Sequence, residues 1–145
     1  MCPATWGVND GQCVKMFATK EIWTDAIDKC SKSEPGAKLV TIRSTERNEW
    51  LSVKMTSNNL LAVWFDATAD GKGKWFDTKG YLYGGGAFTD FNDCVKNKDC
   101  PNGNNSPCLT KTHETTLSWK RLECTATRAY ACELGNVNTL FFIPN

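Results

Sequence analysis

With 145 residues, and 17 lysines and arginines against 16 aspartates and glutamates, the chain has the size of one ordinary domain and a formal net charge of +1. Charges of both signs are interspersed, which excludes the broad basic field that nucleic acid or an anionic membrane surface would require. The longest apolar stretch, LFFI at 140–143, falls far short of the roughly 20 residues of a spanning helix.

Met1 stands directly before Cys2, where an export segment is expected to have been removed or replaced. In TKEIWTDAIDKCSK, residues 19–32, Ile22, Trp23, Ala26, Ile27 and Cys30 recur at intervals of three and four. That period puts them on one face of a helix, with Thr19 as its candidate cap. KLVTIR, residues 38–43, reads as a strand. A second helix is predicted in STERNEWLSVKM, residues 44–55: Ser44 is a good N-cap, Glu46 suits the positive end of the dipole, and Trp50, Leu51 and Met55 share a face.

Beyond residue 60 the texture changes. AVWFDAT and KWFDTKG are short aromatic and β-branched runs separated by the turn sequence ADGKG, the pattern of a hairpin. From Gly84 to Pro107 glycine, asparagine, aspartate and proline dominate; a connection this long points to a functional or internally stapled loop. Strands resume in TLSWKRLEC and RAYACEL, and the tail, residues 135–145, is expected to be a linker or a packed terminus. The layout is one α+β domain spanning residues 1–145, two helices flanking antiparallel β-sheet, with a long loop inserted between strands.

Eight cysteines without a CxxC pair indicate disulfides rather than zinc or thiol redox chemistry, and hence a secreted, extracellular protein. Asn104 in NNS fits a glycosylation acceptor, although Pro107 follows the triplet directly. Trp64, Phe65, Trp75 and Trp119 are expected in the core. Asp66, Asp70 and Asp77 are expected to serve turns. His113 has no second histidine and no readable nucleophile beside it. With no phosphate loop, zinc-hydrolase motif or triad either, the chain reads as a binding protein and not an enzyme.

In order along the chain, CPATW, GQCVKMF, the Trp23 to Cys30 helix, LVTIRSTERNEWL, VWFDA, GKWFDTKG, Cys108, SWKRLEC and ACEL together resemble the C-type lectin-like domain in its long form. The resemblance implies bridges between Cys30 and Cys132, between Cys108 and Cys124, and, at an N-terminal hairpin, between Cys2 and Cys13, leaving Cys94 and Cys100 to join within the loop. Sugar-binding members hold calcium with a Glu-Pro-Asn or Gln-Pro-Asp triplet, a further acid, and an Asn-Asp pair after a tryptophan. Here the corresponding residues are Cys100, Pro101 and Asn102, and the pair after Trp119 is Lys120 and Arg121. Calcium wants six to eight oxygen ligands, and a cation here would repel it by about 4 kcal/mol per unit charge at roughly 4 Å. No cofactor is therefore expected at the usual site.

Two other places could supply oxygens. Asp90, Asn92, Asp93, Asn97 and Asp99 lie close together in the loop, where the alternative is ordinary turn chemistry. Ser44, Glu49 and Glu133 correspond to an auxiliary calcium site of relatives, the alternative being a helix cap and two surface acids. For the ligand itself, the resemblance implies a glycan or glycoprotein bound on the long-loop surface. The candidates are Asn102, Asn104, Asn105 and Glu114 as hydrogen-bonding groups and Lys111, Lys120 and Arg121 as cations, which would favour anionic substituents; the same cations could equally be solvated relics of a lost metal site. The alternatives are a protein ligand docked on that loop, or a structural role at an ice or mineral surface, for which no regular threonine array speaks.

Overall fold

The computed structural model describes residues 2–92, 95 and 107–136. It has the expected α+β architecture, in the order β1 (Gly7–Asn9), β2 (Gln12–Glu21), α1 (Trp23–Ser33), β3 (Lys38–Leu39), α2 (Thr45–Ser57), β4 (Ala62–Ala69), β5 (Trp75–Phe76), β6 (Leu82–Tyr83), β7 (Cys108–Thr112), β8 (Trp119–Leu122) and β9 (Arg128–Asn136). The strands run β1-β2-β9-β4-β5-β6 across one sheet, with β3 beside β9 and with β7 joining β4 to β8. The sheet is mixed rather than purely antiparallel, because β4 and β9 pair in parallel through Val63–Ala129 and Trp64–Tyr130.

Local chemistry explains most boundaries. Asp10 and Gly11 both have positive φ, 51° and 74°, and form a two-residue turn between Asn9 and Gln12, which pair directly across β1 and β2; such a turn matches the twist of a hairpin. β2 continues to Glu21, so Thr19 is a strand residue and not a helix cap, and α1 begins after Ile22 without a side-chain cap bond. The helix is held by what it buries, Trp23, Ala26 and Cys30. α2 starts as expected, with Ser44 Oγ accepting from Arg47 N. The predicted strand at 38–43 is short because beyond Leu39 the chain turns from β9 toward β4: Val40 N–H donates to Ala131 O at 2.9 Å and Asp66 N–H donates to Val40 O at 2.8 Å.

The four aromatics assigned to the core are there: Trp64, Phe65 and Trp119 are wholly buried and Trp75 nearly so. One cluster gathers Val14, Leu51, Phe65, Leu109 and Trp119; another joins Trp23, Leu39, Trp64 and Tyr130. The indoles of Trp23 and Trp64 donate to Phe65 O at 3.1 Å and Glu21 O at 2.8 Å, so their burial leaves no donor unpaired.

Three of the implied bridges are present, Cys2–Cys13, Cys30–Cys132 and Cys108–Cys124. Cys30–Cys132 spans 102 positions and ties α1 to β9; loop closure on that scale is worth about 4.7 kcal/mol. Cys94 and Cys100 lie outside the described residues, as does the tail from residue 137, while residues 135 and 136 extend β9. No described helix is long and apolar enough to cross a membrane.

Candidate functional site

Trp119, the first residue of β8, organises the side of the sheet where the long loop leaves and returns. Its ring lies 5.1 Å from Phe65, 5.2 Å from Phe91, 5.5 Å from Tyr83 and 5.9 Å from Phe88, centroid to centroid. The indole N–H donates to Asn48 Oδ1 at 3.0 Å, and Asn48 Nδ2 donates to Asp90 Oδ2 at 3.0 Å. The start of the loop is laced to the same strand: Trp119 N–H donates to Asp90 O at 3.0 Å and Asn92 N–H to Trp119 O at 3.0 Å.

Asp90 is the carboxylate at the centre of this arrangement. It accepts from Leu117 N at 2.9 Å, from Ser118 N at 3.1 Å and from the Ser118 hydroxyl. Its oxygens therefore serve Asn48 and the two residues that lead into β8. Asn92 likewise serves the loop, its Oδ1 accepting from Val95 N at 2.9 Å. Asp93, Asn97 and Asp99 lie outside the described residues, as do Asn102, Asn104 and Asn105.

The three cations proposed as ligand groups go to three different places. Lys111 is fully buried, against the expectation of a surface cation. Its ammonium donates to Ser52 Oγ at 2.7 Å, Glu114 O at 2.7 Å and Ser118 Oγ at 2.8 Å, which uses all three protons and leaves none for a ligand. Burial pushes its pKa down to about 8, with Asp90 and Glu114 pulling the other way. Lys120 and Arg121 are neighbours on β8 and so face opposite sides of the strand. Lys120 Nζ meets Glu114 Oε1 at 3.1 Å in a half-exposed pair, which holds the Glu114 carboxyl below its ordinary range. Arg121 lies over Trp75, 5.0 Å from the ring centroid, and partial burial lowers its pKa. Glu114 and Lys120 thus belong to one hollow with His113, and Arg121 to another face.

Two of the three auxiliary candidates, Ser44 and Glu133, are also used internally. Ser44 is the helix cap, and Glu49 is exposed on α2. Glu133 is no surface acid: it is buried, accepts from Thr41 Oγ1 at 2.6 Å and Gln12 Nε2 at 3.0 Å, and sits 3.7 Å from Arg47 Nη1 and 3.9 Å from Lys38 Nζ. Arg47 Nε and Nη2 in turn donate to Asn9 Oδ1 at 2.5 Å and Gln12 Oε1 at 2.6 Å. A guanidinium thus stands beside Glu133 where a cation would have to enter. Among the described residues no three of His, Cys, Asp and Glu come together in a group that could hold a metal, and neither the pair after Trp119 nor the Glu133 cluster fits calcium in its donor chemistry.

Asp66, Asp70 and Asp77 serve turns and neighbouring backbone. Asp70 and Asp77 each accept from amides two and four residues on, Lys72 and Lys74, and Lys79 and Tyr81; Asp66 is buried in β4 and fixes Thr78 through its amide and hydroxyl. The polar residues missed by sequence reading are Asn48 and Ser52. Their signal was positional, since they share the buried face of α2 with Leu51 and Met55.

The disulfide framework, the order of elements and a buried tryptophan opening β8, beside the strand to which the long loop returns, converge on one family. Residues 19–134 match the lectin C-type domain model. The chain belongs to that family. Its similarity extends to one chain of a snaclec from Echis carinatus named for binding coagulation factors IX and X, 27% identical over 92% of this chain and 99% of that protein. Lectin BRA-3 of Megabalanus rosa is 27% identical over 92% of this chain and 78% of its own length. Among solved structures, the C-type lectin CEL-I from Cucumaria echinata superposes with a TM-score of 0.77 at 18% identity, covering 94% of this chain and 99% of that one. That last likeness establishes the fold.

Proposed function

We propose that this C-type lectin-like domain is a secreted recognition module, not an enzyme, that binds a glycan or glycoconjugate on its long-loop side without calcium at the position after Trp119. The observation that carries the proposal is the fate of the two residues following that tryptophan: Lys120 is paired with Glu114 at 3.1 Å, and Arg121 is laid over Trp75. Positive charge occupies the place where the sugar-binding pattern calls for oxygen ligands. A guanidinium on an aromatic ring at the mouth of the loop suits a carboxylate or sulfate substituent, since charge-assisted hydrogen bonds are the stronger ones. Three disulfides support an oxidising, extracellular setting.

The test is a glycan array run in calcium and again in chelator, with a thermal melt under both conditions. Binding to acidic glycans that survives chelation and weakens on Arg121→Gln is expected, with an unchanged melting temperature. A calcium-dependent rise in that temperature would count against the proposal, because an ion bound only to the folded state must raise it.

A protein ligand is the second reading. It is favoured by the similarity to a snaclec named for binding coagulation factors and by the exposure of Tyr81 and Leu82, at the start of β6, the strand paired with that of Trp75, since tyrosine is enriched where proteins meet. A blank array would move the assignment there.

A further inference from the structure

A second surface, away from Arg121 and Trp75, carries its own signature. Two hollows, of about 470 and 640 Å³, meet at Leu60, which lines both. Lys15 and Lys54 line the first, and Lys20, Lys120 and Arg128 the second, with Glu114 the one carboxylate between them. Five cations against one acid, on a chain whose formal net charge is only +1, is a strong local segregation. Among the described residues Lys20, Lys54 and Arg128 form no ion pair, so their charge is not neutralised from within the fold.

The first hollow also has an aromatic wall. Trp6 and Trp50 both line it. Trp50 lies so close to β1 that a Cβ on Gly7 would come within 3.0 Å of its ring, so the glycine makes room for the indole. Lys54 sits 5.5 Å from the centroid of the same ring. Trp6 meets Phe17 edge-on at 6.4 Å. Rigid indole faces offer flat, weakly polar surface to the C–H faces of pyranose rings, while the ammonium groups beside them meet anionic substituents.

We infer that this surface is a binding track for an extended sulfated polysaccharide. The two adjoining hollows call for a chain rather than a single sugar, the spaced lysines and arginine call for repeated anionic groups, and the tryptophans call for rings. The inference does not use the Arg121 contact of the long-loop proposal, because the two residues common to both sets of candidates, Lys120 and Glu114, line this hollow and Arg121 does not.

The test uses a heparin-derived oligosaccharide titrated against the whole domain by calorimetry at low and moderate salt. Binding should weaken roughly tenfold or more between about 50 and 200 mM NaCl, as expected when several cations release counterions. The combined variant Lys20→Gln, Lys54→Gln and Arg128→Gln, none of which is buried, should lose on the order of tenfold in affinity with an unchanged melting temperature. Trp50→Ala should weaken binding at fixed salt, whereas Lys72→Gln, at an exposed lysine of the turn between β4 and β5 that lines neither hollow, should leave it as it was. Absence of binding at low salt, or equal affinity of the triple variant, overturns the track. Equal affinity for polyglutamate or single-stranded DNA of matched charge overturns the assignment to a sulfated glycan.

Discussion

Glu133 and Asp90 stand in the two regions where a reader of the sequence would look for calcium, and the protein supplies each with donors of its own in a different way. Glu133, under the start of α2, has a guanidinium 3.7 Å away, with both side chains only 3% exposed. Asp90, at the start of the long loop, is held by neutral donors, Asn48 Nδ2, the amides of Leu117 and Ser118 and the Ser118 hydroxyl, and its counter-charge comes one step further out, through Lys111 bonded to Ser118 Oγ at 2.8 Å. The first cluster pairs fixed charges directly. The second routes charge through a hydroxyl and ends on a lysine that can lose its proton.

Removing charge from the direct pair should have the larger consequence. Glu133→Gln keeps the shape but leaves Arg47 buried without its carboxylate, and burial already lowers the Arg47 pKa. Such a loss typically costs about 3–5 kcal/mol. Urea denaturation monitored by tryptophan fluorescence should show it as a fall in midpoint, and a loss below about 1 kcal/mol would mean that Asp10 and water compensate.

The relayed cluster should respond less strongly and with a different pH signature. Lys111→Met removes three hydrogen bonds, but the Ser52 and Ser118 hydroxyls keep other partners, Asn48 O and Asp90, so a loss of about 1–2 kcal/mol is expected. The sign with pH follows from the lysine's folded pKa of about 8, below its ordinary 10.5. Between those values the unfolded chain binds the extra proton, so stability rises with pH, by at most about 1.4 kcal/mol per unit. Above about pH 10 the trend reverses as tyrosine ionises in the unfolded chain, because burial holds the Tyr83 hydroxyl far above its ordinary range. Denaturation at pH 8, 9 and 10 should show a positive slope in the wild-type protein and a flatter one in Lys111→Met; equal slopes would remove Lys111 as the source.

The same contrast explains what could be read from the chain alone. Both helices, the four core aromatics and the hairpin at ADGKG follow from periodicity and turn chemistry, and three disulfides followed from the family pattern. Thr19 misled because a good capping residue precedes a helical period, yet pairing of β2 with β9 carries the strand through to Glu21. Glu133 and Lys111 misled for a shared reason. Charged residues are almost never fully buried unless paired; here Glu133 meets Arg47, far off in sequence, and Lys111 meets the distant Ser52 together with the nearer Ser118 hydroxyl and Glu114 carbonyl. The polar members of the α2 face, Arg47, Asn48 and Ser52, keep helical register with Leu51 and Met55, so the period was visible even though the chemistry it organises was not.

One further difference separates the clusters. The backbone at Leu117 has a φ of 52°, a left-handed conformation that costs a branched L-residue about 1–2 kcal/mol. It persists because Asp90 Oδ1 accepts from Leu117 N at 2.9 Å and Oδ2 from Ser118 N at 3.1 Å, fixing the turn that delivers Trp119 into the core. Glycine at this position should relieve the strain while keeping the amide for Asp90, and Leu117 is 40% exposed, so little apolar burial is forfeited. The extra freedom glycine gains in the unfolded chain offsets part of the benefit. Leu117→Gly should therefore change stability only slightly, from a few tenths to about 1 kcal/mol in the favourable direction, read as a small rise in melting temperature. A clear destabilisation would show that the leucine side chain, and not Asp90 alone, holds the approach to Trp119.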